Sequence, residues 1–424
     1  MKKIILLMPL FLIAENFTDL KQDILNSFNY KIAKSKVELY KQKLKQLNSK
    51  NYGSLSINYQ GIYFFKQPYV NTQTPVAVVN NQLVYKNIEV NTADKMHYIG
   101  EIKYSFPIFN STLNNGVTKS KLEVIKNRLN VENVKRIVFL NSLKLYSAIY
   151  ATNENIKALK VAKQALIDSK EKAKALYDSG LLDKSNYDDI NAKYYEIVAQ
   201  IEDIKSQKNA LLSQLSYLLN KKVTNIAGIE IDNKLITPNF QNRPDVKIIK
   251  ENLHIANQDI KLVKSTYYPE IGVQIGLKRE GDNFVLSKND YSNIDKSYIA
   301  LGVSYSFDGS KKHQLEAAKI AKNINLMFYT DYLNKIKSEY NSDLNRKKAL
   351  FYQLKALKEE IKARKSYYSY IKSKFDEGLA DSTDLNNAIA KLAQSQAQKE
   401  YIKSQIFFLL EKLKINGGID VFSK

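Results

Sequence analysis

Apolar residues recur at steps of three, four and seven over long stretches of this chain. The pattern holds from Leu159 to Leu176, from Ile190 to Leu218, and from Leu350 to Phe375. This is the spacing with which coiled-coil helices bury one face. Proline and glycine, the strongest helix breakers, are both absent from 117–179 and from 310–377. The sequence therefore predicts very long helices, roughly 100 Å for about 65 residues at 1.5 Å per residue.

Four shorter stretches alternate apolar and polar residues with a period of two. They lie at about 55–65, 98–108, 271–277 and 299–307. A period of two predicts strands with one apolar face, and these lengths suit strands that cross a bilayer at a tilt. Tyr and Phe near the strand ends suit an interfacial aromatic girdle. Two hairpins packed on a soluble core would give the same alternation.

Four strands in lipid cannot form a complete structure within one chain. An open sheet would leave unpaired backbone N–H and C=O groups in hydrocarbon, and four strands are too few to close a barrel. Two copies would supply eight strands with a filled interior, whereas three copies would supply twelve strands with room for a channel. The polar and small residues of the second face, among them Gly272, Gln274 and Gly302, favour the wet interior.

Two similar segments, "YDSGLLDKSNYDDI" and "FDEGLADSTDLNNA", interrupt the helical patterns. Their glycines, Gly180 and Gly378, are 198 positions apart, and so are Phe109 and Phe307, which precede the two longest helical stretches. A constant offset indicates an internal duplication. A glycine that ends one helix, followed by acidic residues that begin the next, predicts that each segment is the turn of a helical hairpin.

The composition excludes several kinds of site. The 424 residues include no cysteine and only three histidines, which lie far apart, so thiol chemistry is absent and a metal cluster is not expected. With no nucleophile motif or phosphate loop either, we expect no enzyme and no cofactor. The net charge of +22 comes from lysines mixed with acidic residues, which is typical of solvated helices. The lysine-rich segment 31–50 leaves a nucleic-acid-binding coiled coil as an alternative.

The N-terminus, "MKKIILLMPLFLIAEN", has the pattern of an export signal. Two lysines precede an apolar run that is too short to span a bilayer as a helix. We expect 1–14 to be a secretory signal peptide and the exported chain to have no helical membrane anchor. Export argues against a nucleic-acid partner.

The order of the predicted elements resembles that of the TolC family of outer-membrane efflux proteins. A strand hairpin is followed by a long helix, a Gly-Leu turn and a returning helix, and the whole series occurs twice. The resemblance covers about 16–416 and includes "NRPDVKIIKENL", "STYYPEIGVQIG" and "SFDGSKKHQLEAAKIAKN". It implies a mainly α fold with a β-barrel portion. Three copies would form a twelve-stranded transmembrane barrel and a periplasmic barrel of coiled-coil-like helices. The implied partners are the two other copies of a homotrimer, a periplasmic adaptor (membrane fusion) protein, an inner-membrane pump and outer-membrane lipid.

The resemblance also divides the chain into parts. A first repeat would cover 15–220 and a second 244–416, with an equatorial linker at 221–243 and a C-terminal tail at 417–424. The strand hairpins would lie at about 53–109 and 270–307, with loops at about 66–96 and 279–297 facing outside the cell. The two long helices would run over 113–177 and 310–375, and the shorter helices over about 19–49, 183–220, 244–266 and 381–415.

Functional roles are implied for the two Gly-Leu turns and the helices that follow them. The adaptor-docking residues would be Gly180, Leu181, Gly378 and Leu379. The candidates for a ring around the periplasmic aperture are Asp384, Asn387 and Asp189. Asn387 stands where the best-known family pattern has an acid. The implied function is the passive exit duct of a tripartite efflux or type I secretion system. The alternative is a periplasmic coiled-coil scaffold or tether without a pore.

Overall fold

The structure, a computed structural model, describes residues 17–234, 237–284, 294–420 and 422. The predicted signal peptide lies outside the described residues, as does the middle of the predicted loop at 279–297.

Seven α-helices make up most of the described chain. They are α1 (Phe17–Asp23), α2 (Phe28–Ser49), α3 (Ser111–Asp178), α4 (Lys184–Leu219), α5 (Pro244–Ser265), α6 (Ser310–Asp376) and α7 (Ser382–Asn416). The seven strands are β1 (Ser54–Tyr63), β2 (Tyr69–Val79), β3 (Gln82–Asn91), β4 (Met96–Phe109), β5 (Glu270–Gly281), β6 (Ile294–Asp295) and β7 (Tyr298–Ser304).

The two long helices confirm the prediction from helical spacing and missing breakers. Helices α3 and α6 contain 68 and 67 residues. Each starts where a side-chain oxygen accepts a hydrogen bond from an otherwise unpaired backbone N–H. The N–H of Leu113 donates to Asn110 Oδ1 at 2.7 Å, and the N–H of Ser310 donates to Asp308 Oδ1 at 2.8 Å.

The structure corrects the prediction at three places. The helix expected over 19–49 is broken by a 3-10 turn at Ile24–Asn26 and an extended Ser27, because the chain turns there to bury Ile24. The segment 66–96, expected to be a loop, contains the hairpin of β2 and β3; polar residues and Pro75 hide its alternation. The last strand ends at Ser304 although the apolar alternation continues to Phe307.

The chain forms two compact units, and the first is helical. It contains the described residues within 1–38, 126–251 and 326–424. One of its cores surrounds Phe139, Tyr146 and Leu215, which are almost fully buried, and also includes Leu20 and Ile24 from the N-terminal turns. A second core lies under the Gly-Leu turns, and a third lies between the middle of α6 and the end of α7.

The second unit, within 39–125 and 252–325, carries the sheet. Antiparallel strands lie in the order β1-β4-β5-β7, with the short β6 also paired to β5. Among the described residues, β1 and β7 each pair on one side only. The apolar residues of these two strands are exposed, with Ile57 72% and Ile299 78% accessible. Within the described part of the chain, the sheet therefore has two open edges and an uncovered apolar face.

Candidate functional site: the paired Gly-Leu turns

The two Gly-Leu turns have the same backbone geometry. Gly180 and Gly378 have φ angles of 75° and 76°, in the left-handed region that glycine adopts without steric cost. The N–H of Leu181 donates to the carbonyl of Leu176 at 2.9 Å, and that of Leu379 donates to the carbonyl of Lys374 at 2.7 Å. The glycine N–H groups donate to residues three positions earlier. Each turn is therefore a Schellman motif, which satisfies the last carbonyls of α3 and α6.

The structure brings the two turns together. A Cβ atom built on Gly378 would lie 3.9 Å from the carbonyl oxygen of Leu181. The N–H of Ser382 donates to Asn186 Oδ1 at 2.8 Å, so the start of α7 is tied to the start of α4. Beneath the turns, Phe375, Ile190 and Leu385 share one apolar core. Two segments almost two hundred residues apart in sequence therefore form one surface.

Two leucines project from this surface. Leu181 is 66% exposed and Leu379 is 69% exposed. In a Schellman motif an apolar residue at this position often packs back against its helix. Here the next residues, Leu182 and Ala380, pack on the core, and the two leucines remain accessible. Around Gly180 no atom lies within 4 Å of a built Cβ, so another helix could approach closely.

The three aperture candidates fall into two groups. Asp189 Oδ2 accepts a hydrogen bond from the amide of the buried Asn386 at 2.8 Å, which links α4 to α7. Asp384 and Asn387 are exposed on α7. The backbone N–H of Asp384 is bound by the side chain of Asp381, the N-cap of α7, at 2.8 Å. A carboxylate in the first turn of a helix is also favoured by the helix dipole.

Sequence reasoning missed a buried charged cluster at the start of α5. Arg243 is 4% exposed and Asp245 is 8% exposed. The guanidinium of Arg243 donates to both carboxylate oxygens of Asp245, at 3.0 and 2.6 Å. Arg136 of α3 lies 3.1 Å from the same carboxylate, and the hydroxyl of Tyr332 in α6 donates to it at 2.8 Å. Both arginines also donate to Asn416, at the end of α7.

The electrostatics of this cluster follow from burial and its two arginines. Burial alone would raise the pKa of the Asp245 carboxyl, but hydrogen bonds from Arg243 and Tyr332 and the charge of Arg136 outweigh it and hold that pKa below its ordinary value. Burial and the hydrogen bond to Asp245 raise the pKa of Tyr332. The sequence "NRPD" signalled only a helix start, because three of the partners lie about 90 to 170 residues away in the chain.

Within the described ranges, no group of three His, Asp or Glu side chains is placed to hold a metal ion. None of the helices in the described part of the chain is both long and apolar enough to cross a membrane.

Comparison with known proteins gives one family match and several structural matches. Residues 235–406 match the model of the outer membrane efflux protein family. No curated protein matches the sequence. CusC, a protein that forms a transmembrane channel, superposes with a TM-score of 0.78 at 13% identity, over 97% of this chain and 94% of CusC.

Two further channels have the same fold. The outer membrane protein VceC of Vibrio cholerae superposes with a TM-score of 0.73 at 14% identity, over 95% of this chain and 96% of VceC. The outer membrane channel CmeC of Campylobacter jejuni superposes with a TM-score of 0.75 at 16% identity, over 96% of this chain and 87% of CmeC. The family match therefore covers part of the second half of the chain, and the described chain as a whole has the fold of these outer-membrane channels.

Proposed function

We propose that this protein is the outer-membrane channel of a tripartite efflux or type I secretion system. It would act as a homotrimer whose twelve strands close a barrel in the outer membrane and whose helices continue the duct into the periplasm. The family and the solved relatives are channel proteins. We assign the chain no catalytic role.

The observation that carries the proposal is the four-stranded sheet. Its apolar face is exposed on β1 and β7, and both edge strands pair on one side only among the described residues. Hydrocarbon would cover the apolar face, but it does not tolerate unpaired edge groups. Pairing β7 of one copy with β1 of the next would satisfy both edges. A periplasmic scaffold or tether would leave this face in water, which disfavours that alternative.

We infer that the duct arose by internal duplication. The offset of 198 residues relates the two turn glycines, the backbone hydrogen bonds around them, and Phe109 with Phe307. The two long helices differ in length by one residue. Each copy would thus contribute two similar helical hairpins to the periplasmic end.

We propose that the paired turns dock the periplasmic adaptor, which in turn connects the channel to an inner-membrane pump. Leu181 and Leu379 would supply the apolar contacts, and the open space at Gly180 would admit a partner helix. Asp384 and Asn387 would line the aperture because they are exposed on α7. Asp189 would act there through its hydrogen bond to Asn386.

The trimer is tested by mass. Purified in detergent, the mature chain should have about three times the monomer mass by light scattering, and it should conduct ions in planar lipid bilayers. A stable monomer inserted in lipid would contradict the proposal, because it would leave β1 and β7 unpaired.

Docking is tested with the double variant Leu181→Asp and Leu379→Asp. Both side chains are exposed, so the trimer should keep its thermal stability, whereas adaptor crosslinking and transport should be lost because a charge would enter a desolvated contact. The matched control is Tyr217→Asp, an exposed aromatic near the end of α4. Normal transport by the double variant would overturn the docking assignment.

A further inference from the structure

The hairpin of β2 and β3 is a separate two-stranded sheet that lies between β1 and β4 in the chain. Between the two strand pairs, the N–H of Phe64 donates to the carbonyl of Lys95 at 2.7 Å, and that of Thr92 donates to the carbonyl of Pro68 at 2.9 Å. The hairpin closes at Asn80 and Asn81, whose φ angles are 48° and 65°. Two successive positive φ values are those of a type I′ turn, the tight turn that fits the twist of a hairpin. The two hydrogen bonds join the hairpin to the pair of β1 and β4, and we call these two strand pairs together the ribbon.

The outer part of this ribbon extends past the length that a bilayer needs. Strand β1 has 10 residues, which already suffices for a tilted transmembrane strand. Strand β2 adds 11 residues, or roughly 37 Å at about 3.4 Å per residue. In the channel proposed above, β2 and β3 therefore lie outside the hydrocarbon.

The hairpin nevertheless has an apolar outer end. From Gln67 to Tyr85 the sequence contains no charged residue, in a chain with a net charge of +22. The large exposed apolar side chains beyond Pro75 are Val76, Val78, Val79, Leu83, Val84 and Tyr85. We call these six residues the hairpin tip. A two-stranded ribbon is marginally stable alone, and a contiguous apolar patch in water marks a contact surface.

The geometry of a trimer places two identical tips within reach. Twelve strands spaced about 4.8 Å apart and tilted by about 40° form a barrel with a radius of about 12 Å. A ribbon of roughly 37 Å exceeds that radius about threefold. A β-bulge between Pro75 and Ala77 gives the ribbon a point at which to bend. Because the tip is uncharged, identical copies do not repel one another there.

We propose that the three hairpin tips pack against each other on the trimer axis and cover the outer mouth of the channel. This inference rests on the proposed trimer. Each apolar tip is covered by the hairpin tips of the two other copies, which every trimer contains. Valine and leucine on neighbouring tips form the contact, and the polar residues nearer β1, such as Asn71 and Gln73, remain in water.

The chain has no cysteine, so single cysteines can report the contact without further engineering. Val78→Cys and Val84→Cys sample the two faces of the hairpin near the tip. The control is Asn71→Cys, an exposed residue of β2 about 24 Å along the strand from Val78, on the membrane side of the bulge. Each variant would be reconstituted with one trimer per lipid nanodisc and oxidised. At least one tip variant should form disulfide-linked dimers at least tenfold faster than Asn71→Cys, and reducing agent should reverse the link.

The outcomes separate the two proposals. If the protein has the mass of three chains but neither tip variant crosslinks faster than the control, the tip contact alone is overturned. A lipid or another protein would then cover the tips. A mass below three chains would overturn the trimer and the tip contact together.

A second experiment measures the consequence for conduction. Val78→Lys would bring three like charges together at the contact, so the single-channel conductance should rise severalfold in planar bilayers. Asn71→Lys adds the same charge nearer the base of the hairpin and should change the conductance much less. Equal conductance of the wild type and the two variants would contradict a covered mouth.

Discussion

At the residue scale, the Gly-Leu turns combine a backbone requirement with an exposed side chain. Gly180 and Gly378 are needed because φ is positive, whereas Leu181 and Leu379 take no part in the core. The sequence alone located these residues, since a glycine that ends an apolar periodicity is a strong local signal. It could not show that the two turns touch, because that contact depends on how the two hairpins pack.

Alanine substitutions at two glycines should distinguish the effect of backbone strain from the effect of steric crowding. Gly180→Ala has room for a methyl group but must adopt φ near 75°, so it should destabilise the turn by about 1 kcal/mol. The control is Gly309→Ala, which also has no neighbour within 4 Å but lacks a positive φ. Hydrogen exchange at the Leu181 amide should accelerate in the first variant only. Equal protection in both variants would argue against a strained turn.

The Arg243–Asp245 pair predicts a pH dependence of stability. The pKa of Asp245 is lowered in the folded chain, so its contribution to the free energy of unfolding is complete above the unfolded carboxyl pKa of about 3.9. That contribution is lost as pH falls through the lower pKa of the folded state. Asp245→Asn removes the carboxylate that neutralises Arg243 and Arg136 and should cost about 3 kcal/mol near pH 7. Thermal midpoints from about pH 2 to 7 should show the gap between wild type and variant closing at the acid end.

The control for this prediction is Asp331→Asn, which alters an exposed carboxylate beside Tyr332 in α6. Its thermal midpoint should match the wild type across the pH range. A gap for Asp245→Asn that stays constant down to about pH 2 would contradict the assigned sign.

At the element scale, the long helices were predictable and the hairpin of β2 and β3 was not. Helical spacing repeats over many turns, so a single irregular residue hardly weakens the signal. The hairpin offers only about ten residues per strand, and its alternation is shifted by the bulge after Pro75. Likewise, the break after α1 is set by burial of Ile24 in a tertiary core, which no local pattern encodes.

Continuity of α3 can be tested at an exposed position. Val161 is accessible, so Val161→Ala should change the free energy of unfolding little, whereas Val161→Pro should cost about 3 kcal/mol or more. The proline removes a backbone hydrogen bond and clashes with the preceding turn. Trimer yield and thermal midpoint would be compared for the two variants. Similar values would mean that α3 tolerates a break at this point.

At the scale of the whole molecule, the two units differ in how far they bury their apolar residues. The helical unit buries several cores of its own, whereas the sheet of the second unit has an exposed apolar face and, among the described residues, two open edges. Period-two patterns predicted β1, β4, β5 and β7, but the pairing order of these strands could not be read from the sequence. Partners in a sheet are fixed by contacts between residues far apart, such as β4 with β5.

The open edges of β1 and β7 have a genetic consequence. A subunit that folds its helices but cannot pair its edge strands should spoil every assembly that it enters. With equal expression of normal and defective copies, only about one in eight of the proposed trimers would be free of the defective subunit. A proline in the middle of β1, such as Ile57→Pro, should therefore be dominant over the wild-type allele in a merodiploid strain. Transport in that strain should fall well below half, whereas a deletion allele should be recessive.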